Sequence, residues 1–167
     1  QTLSYSIDIY YDRKKPERHL GIFALYVSFF PQLLAGPIER STTLLPQFHK
    51  EHYFNYTRVK NGLLLICWGY FKKLVIADKA AILVNQIYSS PDQYSGIPLI
   101  MAAFLFAFQI YCDFSAYSDI AIGTASIMGY KLTQNFNRPY FSKSVSEFWR
   151  RWHITLSTWF RDYFYIP

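Results

Sequence analysis

The sequence predicts an all-α fold and a fragment of a polytopic membrane protein. Aromatic residues make up 20% of the chain and charged residues only 17%, against about a quarter charged residues in ordinary soluble domains. Tryptophan and tyrosine concentrate at the headgroup level of membranes, so this composition favours a membrane protein. Apolar residues occur in uncharged or helically spaced runs, and no stretch shows convincing strand alternation. Helices are therefore expected throughout.

The basic residues indicate membrane topology rather than a nucleic-acid surface. The net charge is +6, but the lysines and arginines lie mostly between apolar segments, where they orient spans. We therefore predict the lipid bilayer as a partner and no nucleic acid. The two cysteines, Cys67 and Cys112, lie inside apolar stretches without metal-ligand spacing, and both are expected to be small buried residues.

Both ends of the chain are expected to be truncations. The sequence begins at Gln1 without an initiator methionine or a signal peptide, and residues 162–167 show neither a helix terminus nor a polar tail. The length suits one domain. We therefore predict that residues 1–167 are an internal fragment of a single membrane domain.

The first apolar block, residues 20–38, carries no charge and could just cross a membrane. Pro31 would kink a helix there, and Gly36 followed by Pro37 would stop it. Both flanks are basic, which a single crossing cannot satisfy under the positive-inside rule. A re-entrant or half-embedded helix is therefore predicted.

Residues 61–88 form a second apolar segment with charges in its middle. The charged interruptions are Lys72-Lys73 and Asp78-Lys79. Residues 63–71 are too short to cross a membrane alone, and residues 74–87 have the spacing of an amphipathic helix. The charges could snorkel from an interfacial helix or face a protein interior.

Residues 93–112 are the clearest predicted span, because they are uncharged and rich in Phe, Ala and Leu. They run inward from loop 89–93, which lacks lysine and arginine and is placed outside. Residues 113–119 are polar and are predicted to break the helix, with Ser118 or Asp119 capping a second run at 120–130. The basic, aromatic block 131–161 is placed on the cytoplasmic side or in the protein interior.

A terminal aromatic helix is predicted from Ser144 onward. Ser144 and Glu147 fit a capping box, in which the Glu147 carboxylate reaches back to the Ser144 amide. On a continuous helix Arg151 would pair with Glu147, and His153 would project from an aromatic face. That face combines two stripes, Phe148, Trp152, Thr155 and Trp159, and Trp149, His153, Leu156 and Phe160. An apolar wall would lower the pKa of His153 and keep the imidazole neutral.

Two interpretations of His153 stay open on the residues alone. A neutral imidazole could exchange a proton with a hydroxyl or donate to a carbonyl at a functional site, or it could simply bond a backbone oxygen. Arg150 and Arg151 support the functional interpretation, because charges in an apolar context are costly and tend to be functional.

Two further polar segments supply candidate site residues. A carboxylate at the end of an uncharged span needs a partner, and the arginines of the terminal helix are candidate partners for Asp113. The candidates are Asp113, Ser115, Tyr117 and Asp119 after the span and Asn135 and Asn137 in a proline-fixed loop. His49 and His52 lie in a charged loop without metalloprotease spacing, so no metal site is predicted.

A series of motifs in a defined order resembles the membrane-bound O-acyltransferase family. The motifs are residues 4–8, 29–38, 111–123, 135–140, 148–157 and 159–163. The resemblance is to the bacterial branch that modifies polysaccharides, in the manner of alginate O-acetylation or teichoic-acid D-alanylation. It covers essentially the whole chain.

The resemblance implies transfer of an acyl group, usually acetyl, from a thioester donor toward a polysaccharide hydroxyl. It implies a ring of tilted, re-entrant and spanning helices around a central tunnel, in a multi-pass protein of the bacterial inner membrane. The donor would be acetyl-CoA or an acyl-carrier phosphopantetheine thioester, without a bound cofactor. The acceptor would be the polysaccharide or a periplasmic or extracellular partner acyltransferase.

The resemblance also implies roles for individual residues. His153 matches the first of two family histidines, which lines the tunnel, and the second, generally regarded as catalytic, lies beyond Pro167. The chain alone is therefore not expected to turn over. His153 is the catalytic candidate, with Arg150 and Arg151 bracing acids or contacting donor phosphates. The remaining substrate or tunnel candidates are Trp149, Trp152, Ser157, Asn135, Asn137, Asp113, Ser115, Tyr117 and Asp119.

Two other functions remain open. A transporter or channel could line its path with Lys72, Asp113 and Arg151, although such proteins normally show two repeated halves and none is visible here. A scaffold could use the tunnel to dock a soluble acyltransferase.

Overall fold

A computed structural model describes residues 1–33 and 35–165. These residues form helices joined by turns and loops, and they contain no strand. The all-α prediction is therefore confirmed. Leu34, inside the predicted apolar block, and residues 166–167 lie outside the described part. The α-helices are α1 (Thr2–Tyr10), α2 (Leu20–Ser28), α3 (Ser41–Phe48), α4 (Tyr56–Tyr70), α5 (Asp78–Ser89), α6 (Ile97–Met128), α7 (Val145–Arg151) and α8 (Ile154–Phe160).

Helix α6 is the longest helix in the described part of the chain, and α4 and α5 pack against it. It is long and apolar enough to cross a membrane, by length and composition. Helices α4 and α5 follow each other through a π-helical turn (Phe71–Ala77), and together they pack along α6. The charges in the middle of this segment therefore do not interrupt the helical backbone.

The close contact between α4 and α6 depends on glycine. A Cβ atom on Gly123 would lie 2.7 Å from the Gly62 carbonyl oxygen, and one on Gly62 would lie 2.8 Å from the Gly123 carbonyl oxygen. Farther along, a Cβ on Gly69 would lie 2.8 Å from the Ala116 carbonyl oxygen. The helices are thus antiparallel and pack backbone to backbone, as small residues allow in membrane helix pairs.

Gly123→Ala is expected to destabilise the protein by about 2 kcal/mol, because the added methyl overpacks this contact. Unfolding of the full-length protein in mixed micelles measures the change. Gly21→Ala is the matched control, since its nearest neighbours are atoms of the flexible His19 side chain, and a smaller change is expected. Equal effects of the two substitutions would contradict tight α4–α6 packing.

The predicted helix break at residues 113–119 is wrong, because α6 continues through it to Met128. No proline or glycine interrupts this stretch, and lysines of the π-helical turn bind its carboxylates. Lys73 Nζ lies 2.8 Å from Asp113 Oδ1, and Lys72 Nζ lies 2.8 Å from Asp119 Oδ2. Ser118 and Asp119 therefore cap no helix. The predicted span begins at Ile97 rather than at residue 93.

The apolar block at residues 20–38 is not one helix. Helix α2 ends at Ser28, Phe29 is extended, and a single 3₁₀ turn (Phe30–Gln32) carries Pro31. Proline at this position cannot continue the hydrogen bonding of α2. Nine residues of α-helix rise about 14 Å and cannot cross a membrane. The predicted stop at Gly36 and Pro37 is wrong, because α2 already ends at Ser28.

The N-terminal elements pack against the last turns of α6. Their buried cluster consists of Tyr26, Phe29, Leu44, Leu45, Ala121, Ala125 and Leu132. Cys112 is buried, as predicted, whereas Cys67 is exposed. The prediction for Cys67 is wrong because α4 buries its glycine face against α6 and leaves Cys67 on another side.

Candidate functional site

The predicted terminal helix is two helices separated by a break at Trp152 and His153. Helix α7 ends at Arg151 and α8 begins at Ile154. His153 has φ 43° and ψ 55°, the left-handed conformation that non-glycine residues rarely adopt. The prediction of one continuous helix is therefore wrong, because the backbone turns at the histidine itself.

The local contacts of α7 follow the sequence more closely. The Glu147 amide donates to Ser144 Oγ over 3.1 Å, so the predicted cap is present. The Glu147 carboxylate accepts instead from the Lys143 amide, one residue earlier than the capping box predicts. Arg151 donates to Glu147 Oε1 over 2.6 Å, and this predicted pair is confirmed.

His153 lines an aromatic cleft of about 720 Å³. Its ring lies 4.8 Å from the Phe114 ring, centroid to centroid. The cleft is lined by Phe114, Trp149, Trp152, His153, Leu156, Ser157, Phe160 and Tyr165. One predicted stripe of the terminal helix thus lines the cleft despite the break at His153.

A second, polar cavity of about 650 Å³ lies beside α6. Lys72, which is buried, donates to Ser115 Oγ over 2.9 Å and pairs with Asp119. The lining residues are Trp68, Lys72, Ile76, Tyr111, Cys112, Ser115, Asp119, Gln134, Phe136, Asn137, Arg138 and Arg151. Three cations and one carboxylate line the cavity, so it is suited to polar or anionic groups.

An aromatic partition of Phe114, Phe136 and Trp152 separates the cleft from the cavity. The Phe136 ring meets the Trp152 and Phe114 rings edge-on, with centroid-to-centroid distances of 5.1 Å and 5.0 Å. Phe136 lines the polar cavity, whereas the other two rings line the cleft. Arg151 and His153, two residues apart, therefore face different compartments.

The structure divides the predicted site residues among several places. Trp149, Trp152, His153 and Ser157 line the cleft, and Ser115, Asp119, Asn137 and Arg151 line the polar cavity. Arg150 lines a separate groove with Arg161. Asn135 is completely buried and lines neither compartment.

Asp113 and Tyr117 lie away from both compartments. The partner of Asp113 is not one of the candidate arginines, because Lys73, on the π-helical turn packed against α6, binds its carboxylate. Arg151 pairs with Glu147 instead. The Tyr117 hydroxyl donates to the Leu33 carbonyl oxygen over 2.8 Å, tying α6 to the chain after the 3₁₀ turn.

Several contributors to the two compartments carry no clear functional signal in the sequence. Phe114 and Phe136 resemble ordinary apolar residues. Lys72 carries one usable signal. Lysines in one apolar segment and aspartates in the next predict cross-helix pairs, because an unpaired charge in an apolar segment is costly.

The side chains of His49 and His52 each contact another residue. His49 Nε2 lies 2.8 Å from Glu17 Oε2, and His52 Nε2 lies 2.9 Å from the Gln47 carbonyl oxygen. Within residues 1–33 and 35–165, no group of three or more His, Cys, Asp or Glu side chains is placed to hold a metal ion.

Burial lowers the pKa of His153 below its ordinary value of 6.5, in the direction that the sequence predicts. Burial therefore favours the neutral form of the imidazole in the folded protein. Its Nδ1 is buried and has no hydrogen-bond partner among the described residues. A neutral imidazole that lines a cleft can take a proton from a bound ligand or hydrogen-bond to it.

The reaction of His153 with diethyl pyrocarbonate is expected to persist at pH values below 6.5, because only neutral imidazole reacts. A free histidine peptide, whose pKa is about 6.5, loses half its reactivity at that pH. At pH values between the lowered pKa of His153 in the folded protein and its ordinary value in the unfolded chain, the unfolded chain binds more protons. The contribution of His153 to folding stability therefore falls as the pH drops through this range. Mass spectrometry of the modified peptide measures the profile. A midpoint at or above 6.5 would contradict the buried, neutral ring.

Comparisons with known proteins agree with this architecture. Residues 17–167 match MBOAT, the membrane-bound O-acyltransferase family. The probable alginate O-acetylase AlgI of Azotobacter vinelandii is 41% identical over 99% of this chain and 33% of its own length. The peptidoglycan O-acetyltransferase of Helicobacter pylori is 44% identical over 89% of this chain and 29% of its own length.

A more distant relative has a different acyl group in its name. The teichoic acid D-alanyltransferase of Bacillus subtilis is 32% identical over 84% of this chain and 36% of its own length. The chain spans about a third of the length of the curated relatives it matches. The family match covers nearly the whole sequence and accounts for its membrane character. The chain belongs to the membrane-bound O-acyltransferase family.

Proposed function

We propose that the full-length protein is a membrane O-acyltransferase that passes an acetyl group from a thioester donor toward a hydroxyl of an exported or cell-surface polysaccharide. The choice of acetyl rests on the relatives. Those named for O-acetylation are 41% and 44% identical to this chain, whereas the D-alanyltransferase is 32% identical. Residues 1–167 would be one part of a longer membrane domain.

The observation that carries the proposal is His153 in its cleft. The ring is half-buried among aromatic side chains, burial lowers its pKa, and the residue lines the cleft. A thioester is already activated, but a hydroxyl needs a hydrogen-bond acceptor to become a good nucleophile. The aromatic wall limits water, which would otherwise hydrolyse the donor.

In the proposed step, the acceptor oxygen attacks the thioester carbonyl carbon, a C–O bond forms and the C–S bond breaks. The hydroxyl proton passes to a base and then to the departing sulfur, which leaves as a thiol. We assign His153 the role of hydrogen-bonding and orienting the acceptor or the donor. The cationic polar cavity would hold a polar part of a substrate, and Arg151 and Asn137 lie on its wall.

The donor and the location belong to the same proposal. The protein would use a CoA or carrier-protein thioester as a substrate, without a resident cofactor, and would cross the bacterial inner membrane several times. Its acceptor would be the polysaccharide itself or a partner acyltransferase outside the membrane. Support comes from the apolar α6 and from the family.

The test is a thioester assay with the full-length protein in lipid vesicles. Acetyl-CoA and an acetylated carrier protein are supplied separately, and thiol release and acetyl transfer to oligosaccharides are measured against empty vesicles. Thiol release with acetyl transfer supports the proposal. Solute flux without thioester consumption would identify a transporter instead, and capture of a soluble acyltransferase without thioester consumption would identify a scaffold.

A further inference from the structure

The start of α8 lacks a cap from its own chain segment. The first amides of a helix have no partner inside the helix, and the N-cap side chain usually accepts from one of them. Here the N-cap residue is His153, and its side chain accepts no such bond. The imidazole lies against Phe114 in the cleft instead.

Asn135 supplies the missing bonds from the loop before α7. The Ile154 amide donates to the Asn135 carbonyl oxygen over 2.9 Å. The Thr155 amide donates to Asn135 Oδ1 over 3.3 Å, and Thr155 Oγ1 donates to the same atom over 3.0 Å. Both residues that follow His153 are thus held by one asparagine.

The same asparagine is anchored on its other side. Its Nδ2 donates to Ser118 Oγ on α6 over 3.4 Å, and its side chain is completely buried. A second bond closes the loop on the end of α7, since the Asn137 amide donates to the Arg151 carbonyl oxygen over 2.9 Å. The break between α7 and α8 is therefore bonded to the loop on both sides of His153.

We propose that Asn135 is the positioning residue of His153. It caps α8 in place of the histidine, holds His153 in the left-handed conformation and leaves the imidazole free to face the aromatic cleft. This assignment rests on the proposed function only for its kinetic readout. It differs from the role that the sequence predicts for Asn135, because a buried cap contacts no substrate.

The left-handed backbone makes the role necessary. A non-glycine residue in this region is strained, and such strain persists only where surrounding contacts over-determine it. Without the Asn135 contacts, α8 can extend backward or the break can relax. In either case the ring would move from the cleft, and misplacement by about 1 Å can cost about 100-fold in rate.

The experiment compares three variants of the full-length protein. Asn135→Ala removes the side-chain cap, Thr155→Val removes one of its bonds together with the acceptor of the Ile38 amide, and Thr155→Ser keeps the hydroxyl. We expect kcat to fall about 100-fold for Asn135→Ala and about 10-fold for Thr155→Val. Thr155→Ser should stay within about threefold of wild type, and KM should change less than threefold in all three.

Hydrogen–deuterium exchange supplies a readout that needs no activity. Amides of residues 152–160 should exchange at least about tenfold faster in Asn135→Ala, whereas residues 97–112 should be unchanged. Leu44→Ala, at a fully buried position in the N-terminal cluster, controls for general destabilisation. It should leave both kcat and the exchange of residues 152–160 near wild type.

Three results would overturn the assignment. A raised KM with unchanged kcat would make Asn135 a substrate-binding residue. A lowered kcat with unchanged exchange at residues 152–160 would show that it acts other than through the α8 cap. No change in exchange or in kcat would show that the cap is dispensable. If the wild-type protein transfers no acyl group, the proposed function fails and the exchange data alone decide the role of Asn135.

Discussion

Replacing His153 with alanine in the full-length protein is expected to lower acetyl transfer about 100-fold or more. The substitution removes a neutral imidazole whose free Nδ1 is buried beside the cleft. A positioned proton acceptor or donor typically contributes about 10²–10⁴-fold to a rate. The protein should still fold, because the bonds from Asn135 remain, although alanine keeps the Cβ atom and therefore the left-handed strain.

The measurement is thiol release and acetyl transfer in vesicles, normalised to folded protein. His49→Ala is the matched control, since this histidine is exposed and pairs with Glu17; activity within about twofold of wild type is expected. His153→Gln tests whether hydrogen bonding without titration suffices. Wild-type transfer by correctly folded His153→Ala would refute the proposed role of this residue.

Replacing Lys72 with methionine is expected to destabilise the full-length protein by about 3 kcal/mol. Removing one partner of a buried ion pair typically costs 3–5 kcal/mol, because the other charge stays buried and uncompensated. The lower end applies here, since 25% of the Asp119 side chain remains exposed, against 9% for Lys72. The Ser115 hydroxyl loses its donor as well.

A double substitution separates the buried charge from simple loss of packing. Lys72→Met with Asp119→Leu should recover most of the lost stability, because apolar pairs often replace buried ion pairs without cost. Lys73→Met is the matched control: its side chain is 42% exposed, and a change of about 0.5 kcal/mol is expected. Unfolding in mixed micelles measures all three variants. Equal losses for Lys72→Met and Lys73→Met would contradict a special role for the buried pair.

The two compartments change how the motifs around His153 are understood. On a continuous helix, Arg151 and His153 would already point about 200° apart, since each residue turns the helix by about 100°. In the structure they lie on opposite sides of the aromatic partition, Arg151 on the polar cavity and His153 on the cleft. Under the proposed function, the cationic cavity and the histidine cleft would bind different parts of the substrates, with the aromatic partition between them.

Short-range features of the candidate site were predictable from sequence. The Ser144 cap and the Arg151–Glu147 pair are confirmed, because residues three and four apart on a helix meet whatever lies around them. The lowered pKa of His153 was predictable for a similar reason, since its neighbours in the chain are aromatic. The position of Pro31 outside α2 follows from the missing amide hydrogen of proline, although the predicted kink within a longer helix is not found.

The sequence by itself determined the helical class, the membrane character and, through the order of its motifs, the family. Composition and local spacing carry that information without reference to distant contacts. Only the tertiary structure decided that α6 runs unbroken through residues 113–119, because lysines on another helix satisfy its aspartates. It also decided that the terminal helix breaks at His153, because the bonds that begin α8 come from Asn135, in a loop before α7. Hydrogen bonds between distant segments settle such choices, and they do not exist until the chain has folded.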